Sequence, residues 1–507
     1  MGIITGFTTL FSGWEPVFFA ILGTAIGLFA GATPGLSASA AIALLIPVTF
    51  YMETLPALVF IYTISKAASF GGSIPAILFN TPGTPQASAT QLEGFPLTQQ
   101  GKQGKALKMA VIASASGDTF SELLLIFGAA YIAVYAAQMG PAEYTAVYFC
   151  AFLILGSVIG NSIIKGLLST LLGILLALVG FDPITSEDRF TFNLDYLLEG
   201  VALVPVLLGV FVLSEVFVRV ADRSSLVGDQ AIAPKSSNPE DNRVSWAEFK
   251  VCAPVMARST GYGTVIGMLP GIGAAVACFV AYAEARRTSK HPEKFGNGAL
   301  EGVAAAESAN NATSGANLIP LLTLGIPGST AAALLAGVML IHGITIGPSV
   351  FVTSHDMIYG LFASGLFCIA TYFIVGYFGS GLIGRIIAMV PAQMIYPLIF
   401  VICYVAGYAL RQALFDLALM TVFGVVGYLM KRFDFSVPAF VIAFILGSGA
   451  ETSLRQAMML DDSGPFVFFE RPISLVFFAF GFLVIILRAR QLHRQKNDGR
   501  SAATLME

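Results

Sequence analysis

The 507-residue sequence predicts an all-α, polytopic integral membrane protein. About 10–12 spans are expected, with broken helices or re-entrant hairpins in two inverted-topology repeats. Three observations predict it: too few charges for a water-facing surface, apolar runs along nearly the whole chain, and Pro-Gly interruptions that recur at fixed offsets. Apolar residues make up 56% and charged ones 11%, and mean hydropathy is +0.80. A soluble chain carries roughly a quarter charged residues, so this one cannot cover a water-facing surface.

The runs decide the kind of span. Leu167–Val179, Val201–Val212 and Leu475–Leu487 contain no charged residue, whereas a β-barrel alternates polar and apolar in segments of about ten residues. The net charge of −3 gives no electrostatic support to a nucleic-acid partner. Cys150, Cys252, Cys278, Cys368 and Cys403 lie far apart without a ligand spacing, which reads as small core residues. The N-terminus has no basic n-region and no small-residue cleavage site, so no removable signal peptide is expected.

Along the chain, residues 1–220 form a first membrane half, 221–250 a hydrophilic linker, 251–487 a second half and 488–507 a basic tail. Arg490, Arg494, Lys496 and Arg500 place that tail in the cytoplasm by the positive-inside rule. The halves repeat. Gly27, Gly31, Pro34 and Gly35 recur at Gly263, Gly267, Pro270 and Gly271, shifted by 236; Ser69, Pro75, Pro82 and Gly83 recur at Ser314, Pro320, Pro327 and Gly328, shifted by 245. Lys102, Lys105 and Lys108 follow the second interruption of the first half, and Arg286, Arg287, Lys290 and Lys294 follow the first interruption of the second. The basic loops are swapped, so with both on the cytoplasmic side the halves cross the membrane in opposite senses.

Proline removes a backbone donor and glycine admits φ > 0, so each Pro-Gly pair breaks a helix. In hydrocarbon the freed polar groups cost several kcal/mol each unless the break lines a cavity or packs inside protein. The breaks are Thr33-Pro34-Gly35 with Ser37, Asn80-Thr81-Pro82-Gly83-Thr84, Pro270-Gly271 with Gly273, and Pro327-Gly328-Ser329-Thr330. Each opens onto an apolar or small-residue run, so each can start a half-helix whose N–H groups and positive dipole end face an anion. Four such ends near the bilayer midplane suit a secondary transporter; Pro-kinked helices without a ligand are the plainer alternative. Gly23, Gly27 and Gly31, like Ser259, Gly263 and Gly267, put small residues on one helix face for close packing.

Ionisable residues at depth are candidates by default. Lys66 stands alone in the otherwise uncharged stretch Thr54–Leu92, and its counterpart under the 245 shift is Asn311. It could hold a substrate carboxylate, snorkel, or pair internally. Asp118 and Glu122 share a helix face; Asp118 lies about 15 Å of helix beyond Lys108, near mid-depth. They suit coupling of a proton or Na⁺, or an ion pair with Lys66. Glu307, Asn310, Asn311, Thr313 and Ser314 supply oxygens for an ion or carboxylate, or interhelical hydrogen bonds. No GxxxxGK[ST] loop, dinucleotide fingerprint or HExxH motif occurs, and no serine–histidine pair stands out. Catalysis, a resident metal and an organic cofactor are therefore not expected.

Gly31-Ala32-Thr33-Pro34-Gly35, Ser73-Ile74-Pro75, Asn80-Thr81-Pro82-Gly83-Thr84 and Gly267-Met268-Leu269-Pro270-Gly271 resemble motifs of the large membrane subunit of the tripartite tricarboxylate transporters. So do Phe181-Asp182-Pro183, Arg189-Phe190-Thr191-Phe192, Glu307-Ser308-Ala309-Asn310-Asn311 and Gly325-Ile326-Pro327-Gly328-Ser329. The resemblance runs from about Gly23 to Arg471, departing at Ile346 and Asn193. It implies an importer of tricarboxylates, dicarboxylates or related organic acids in the bacterial inner membrane, driven by an H⁺ or Na⁺ gradient. It also implies two partners, a small integral membrane subunit and a periplasmic solute-binding protein. A passive anion channel or a non-transporting scaffold is the alternative.

Overall fold

A computed structural model describes residues 2–33, 36–158, 162–221, 236, 238–389, 392–460 and 464–504. The described chain is almost wholly helical. In order come α1 (Gly2–Leu10), α2 (Trp14–Ala32), α3 (Ala38–Thr49), α4 (Thr54–Gly71), α5 (Ser73–Phe79), α6 (Ala87–Gln99), α7 (Gln103–Ala136), α8 (Pro141–Val158) and α9 (Ile163–Ala177). A two-residue antiparallel hairpin, β1 (Gly180–Phe181) with β2 (Asp188–Arg189), precedes α10 (Leu203–Leu207). A π-helical stretch, Leu208–Leu213, leads from it into α11 (Ser214–Ala221). The second part holds α12 (Trp246–Gly267), α13 (Ala274–Thr288), α14 (Leu300–Ala316), α15 (Leu318–Leu324), α16 (Thr330–Ile341) and α17 (Val350–Thr353). It ends with α18 (His355–Met389), α19 (Ala392–Arg411), α20 (Leu414–Arg432), α21 (Val437–Leu460), α22 (Val467–Glu470) and α23 (Pro472–Thr504).

Among the described residues, nine helical stretches are long and apolar enough to cross a membrane, and four more are apolar but shorter. The chain is a multi-pass α-helical membrane protein. It packs as two compact units, one of Met1–Val134, Val204–Leu269 and Gly273–Tyr428, the other of Tyr135–Leu203, Pro270–Ile272 and Leu429–Glu507.

In the first unit the small-residue faces act as the sequence suggests. Added Cβ atoms at Gly23, Gly27 and Gly31 of α2 would run into the backbone of α4 at Phe60, Ile64 and Ala68. At Gly263 and Gly267 of α12 they would run into Ala309 and Thr313 of α14. Without a hydrophobic drive between helices in lipid, such close approach is what holds them. The two contact sets correspond, since Ile64 and Ala68 shifted by 245 are Ala309 and Thr313. α4 is therefore enclosed, with Pro56–Ile64 buried throughout. All five cysteines are free and buried.

The second unit packs α8, α9, α21 and α23. Gly173 of α9 abuts the Phe440 carbonyl of α21, and Phe149 of α8 meets Phe478 and Phe482 of α23. Of the linker, residues 222–235 and 237 lie outside the described residues. Ser245 and Glu248 form a capping box that starts α12, and Lys105 pairs with Glu248 at 2.6 Å.

Candidate ion and anion site

The centre of the first unit is a buried ion cluster. Lys66 on α4 cannot snorkel, because its whole side chain is enclosed. Its Nζ lies 2.7 Å from Asp118 Oδ1 and 2.6 Å from Glu122 Oε2, both carboxyls on α7 and both fully buried. The four-residue spacing of the acids puts them on one face of α7, so a single ammonium reaches both. Tyr62, one turn before Lys66, donates to Glu122 Oε2 at 2.6 Å, and Tyr372 of α18 donates to Asp118 Oδ2 at 3.1 Å. With both acids ionised the cluster holds one positive and two negative charges, and Glu122 Oε1 accepts no hydrogen bond. A charge buried without full compensation is costly, so the second carboxylate sets this cluster apart from a balanced ion pair.

A third carboxyl, Glu307 on α14, is also fully buried. Its oxygens accept from Thr90 of α6 and, at 2.8 Å, from Ser114 of α7. Among the described residues no basic side chain pairs with it. One turn on, Asn311 donates to the Glu307 carbonyl and Asn310 donates to the Ser69 carbonyl at 3.1 Å, which leaves both amide oxygens buried without a partner. Thr313 donates back to Asn310.

The helix interruptions on either side share one backbone design. α5 ends at Asn80 in the left-handed region (φ 58°), α15 at Gly325 (φ 78°), and the two positions are 245 apart. Thr81 N–H donates to the Pro75 carbonyl and Gly83 N–H to the Gly72 carbonyl; Ile326 and Gly328 repeat those bonds to Pro320 and Asn317. Pro82 and Pro327, which lack an N–H, fall between the donating residues. The half-helices that follow differ in their caps. Ser37 accepts from Ala40 N–H to start α3, and Ser329 from Ala332 N–H to start α16, with Thr330 its first residue. Gly273, at φ 82°, starts α13 with no side-chain cap. Thr33 bonds the Phe29 carbonyl, and Thr84 Oγ1 is buried without a partner. Pro34 and Gly35 lie outside the described residues, and Pro270 and Gly271 (φ 83°) belong to the second unit.

Lys66, Ser314 and the first turn of α16 line a common cavity. Its walls include Tyr62, Asn317, Ala331 and Ala332, and it has room for a water molecule. Lys66 and the N-terminal turn of a half-helix thus border one space. Sequence reasoning missed Tyr62, Thr90, Ser114 and Tyr372. Two were within reach: Ser114 extends the 118/122 stripe one turn back, and Tyr62 shares the Lys66 face. Glu93 was missed as well. It is buried and accepts from Gly296, Gly298 and Ala299 N–H at 2.5, 2.9 and 2.7 Å and from Tyr282 at 2.6 Å, tying the turn that leads into α14 to α6. Nothing in its local sequence separates it from a solvated glutamate.

The profile of the tripartite tricarboxylate transporter TctA family matches residues 17–442. This chain belongs to that family. It is a large membrane subunit of a tripartite tricarboxylate transporter. An Agrobacterium vitis relative described as an uncharacterized 52.8 kDa protein in the TAR-I ttuC' 3' region is 34% identical over 485 residues, 95% of each chain. A second A. vitis protein, uncharacterized and from the TAR-II ttuC' 3' region, is 35% identical over 238 residues, 46% of this chain and 97% of its own length. A solved manganese transporter of Eremococcus coleocola aligns over 96% of both chains at 14% identity, and its TM-score of 0.13 carries no argument about the fold.

Proposed function

We propose that this TctA-family subunit is a gradient-driven uptake permease for tri- or dicarboxylates in the bacterial inner membrane, with its C-terminus in the cytoplasm. Its two repeats insert in opposite senses. It works with a small integral membrane subunit and a periplasmic solute-binding protein. The observation that carries the reading is the shared cavity of Lys66 and the α16 first turn. An ammonium and the N–H groups of a helix's first turn are groups that hold a carboxylate.

The ion cluster supplies a reason for coupling. Asp118 and Glu122 occupy the Lys66 ammonium, so a substrate carboxylate must compete with them. A proton or Na⁺ that neutralises one acid releases the ammonium, and the two bindings favour each other. Glu307, with Asn310 and Asn311 beside it, is the second candidate ion position. The swapped basic loops and the paired interruptions at Asn80 and Gly325 support two oppositely inserted repeats.

The test is reconstitution of the chain with its two partners in liposomes, with ΔpH and ΔNa⁺ imposed separately and labelled tri- and dicarboxylates supplied. Uptake is expected to follow one gradient, and to be lost in Glu307→Gln or in Lys66→Ala while both variants still insert. Substrate movement indifferent to both gradients would make the chain a channel; no movement would make it a scaffold.

A further inference from the structure

The loop between α9 and α10 has no part in the ion cluster, yet a network of ion pairs braces it against α21. Arg189 on β2 makes two bonds to Glu451 of α21, at 2.6 and 3.0 Å, and reaches Asp182 at 3.2 Å. Arg455, one turn along α21, holds Asp182 at 2.8 Å and Glu451 at 2.9 Å. Asp182 Oδ1 also accepts from Ile184 and Thr185 N–H, and Thr191 bonds Asp188.

On this frame stand aromatic residues that are more than half exposed. Phe181, Phe190 and Phe192 are 51%, 58% and 80% exposed. Phe190, Phe192 and Asn193 all have positive φ, at 55°, 53° and 58°. Side-chain-bearing residues rarely adopt that conformation, and it persists only where surrounding structure imposes it. On that imposed backbone both rings remain exposed. Rigid, outward aromatic anchors are what protein interfaces use.

Charge tells which way the loop faces and what would meet it. Arg471 at the start of α23 pairs with Glu143 at the start of α8, and α21 brings Glu451 and Arg455 to this same end. The opposite end holds Lys165, bonded to the Phe433 carbonyl, with Lys431, Arg432, Arg488 and Arg490. The loop end carries three basic residues, Arg189, Arg455 and Arg471, against five at the opposite end, so by the positive-inside rule the more basic end is cytoplasmic and the loop faces outward. Glu187, Asp188, Asp195 and Glu199 are exposed around the aromatic rings. That acidic rim repels anionic lipid headgroups and suits a protein with a basic rim around an apolar cleft.

We propose that residues 180–200 form the docking surface for the soluble solute-binding protein of the tripartite system, with Phe190 and Phe192 as anchors and the four acids steering association. This rests on the tripartite reading for the existence of that partner, though not on the ion site or on coupling. The experiment holds the full chain and its small membrane subunit in nanodiscs and titrates them with the purified solute-binding protein. Phe192→Ser and Phe190→Ser are expected to weaken binding about tenfold or more, as loss of an interface anchor does. Glu187→Lys with Asp195→Lys should slow association and flatten its salt dependence. Leu487→Ser, on α23 at the opposite, basic end and 53% exposed, should leave binding unchanged. A photo-crosslinker at position 192 should attach to the solute-binding protein. Wild-type affinity in the Phe190 and Phe192 variants overturns the proposal, as does crosslinking only to lipid, to the small subunit or to a second copy. Absence of binding by the unaltered chain also overturns it, and leaves the transport reading to its own uptake assay.

Discussion

The interruption after α5 and the one after α15 are alike in backbone and unlike in chemistry. Both end a seven-residue helix in a left-handed residue, and both close with the same pair of hydrogen bonds. Yet the helix before the first carries Lys66, engaged by two acids, while the same position before the second is Asn311, with an unpartnered amide oxygen. Backbone geometry answers to the helix break, which is the same problem twice. Side-chain chemistry is free to differ between the two. The difference teaches that a repeated backbone design can carry unlike side chains at matching positions.

The largest effect should come from breaking that asymmetry at Lys66. Lys66→Met leaves Asp118 and Glu122 buried without their cation, and removing one partner of a buried pair costs about 3–5 kcal/mol. Thermal unfolding in detergent should show the loss. Asn311→Ala, the matching change in the other hairpin, should cost less than half as much. Adding Asp118→Asn and Glu122→Gln to Lys66→Met should restore most of the stability and none of the uptake.

Next come the glycines that close the hairpins. A Cβ at Gly83 would overlap the Gly31 carbonyl of α2, whereas at Gly328 it would press on Asn317 at 2.8–2.9 Å. Gly83→Ala meets the backbone of a packed helix and should cost about 3 kcal/mol, against about 1–2 kcal/mol for Gly328→Ala. Equal losses would mean that the first hairpin is not pinned to α2.

The left-handed residues separate the two hairpins more finely. Gly325→Ala should cost about 1–2 kcal/mol, because a Cβ is disfavoured at that φ. Asn80→Gly should change stability by a few tenths of a kcal/mol, since it relieves φ but gives up the exposed bond from Gln91. Unfolding midpoints of the pair measure this directly.

The smallest effect lies outside both hairpins, where charge is held near solvent rather than in the membrane. The N–H groups of Thr185 and Ile184 foremost, with Arg455 and Arg189, lower the Asp182 carboxyl to about 2. An unfolded aspartate titrates near 3.9, so the folded loop binds fewer protons; its stabilisation is complete above about pH 4 and lost as pH falls towards 2. Hydrogen exchange across residues 180–200, corrected for intrinsic rates, should show the loop opening in that window. Asp182→Asn should show part of that opening at neutral pH.

Much of this was legible in the chain itself. Low charge and unbroken apolar runs required helices in a bilayer, and the Pro-Gly pairs at Pro82 and Pro327 marked where those helices had to stop. Both follow from local physics: backbone groups in hydrocarbon must bond within their own segment, and proline and glycine prevent it. Glycines four apart on α2 and α12 announced close packing, because a missing Cβ lets two helix backbones approach. What sequence left open was pairing. Lys66 could have met a substrate, snorkelled or bonded Asp118, because those residues lie 52 positions apart and a helix face says nothing about its partner. Only the packing of α4 against α7 brought one ammonium to two carboxyls, and only the fold set Glu93 on the amides that lead into α14. Local propensity reads an element; long-range contact decides which charges share a cavity.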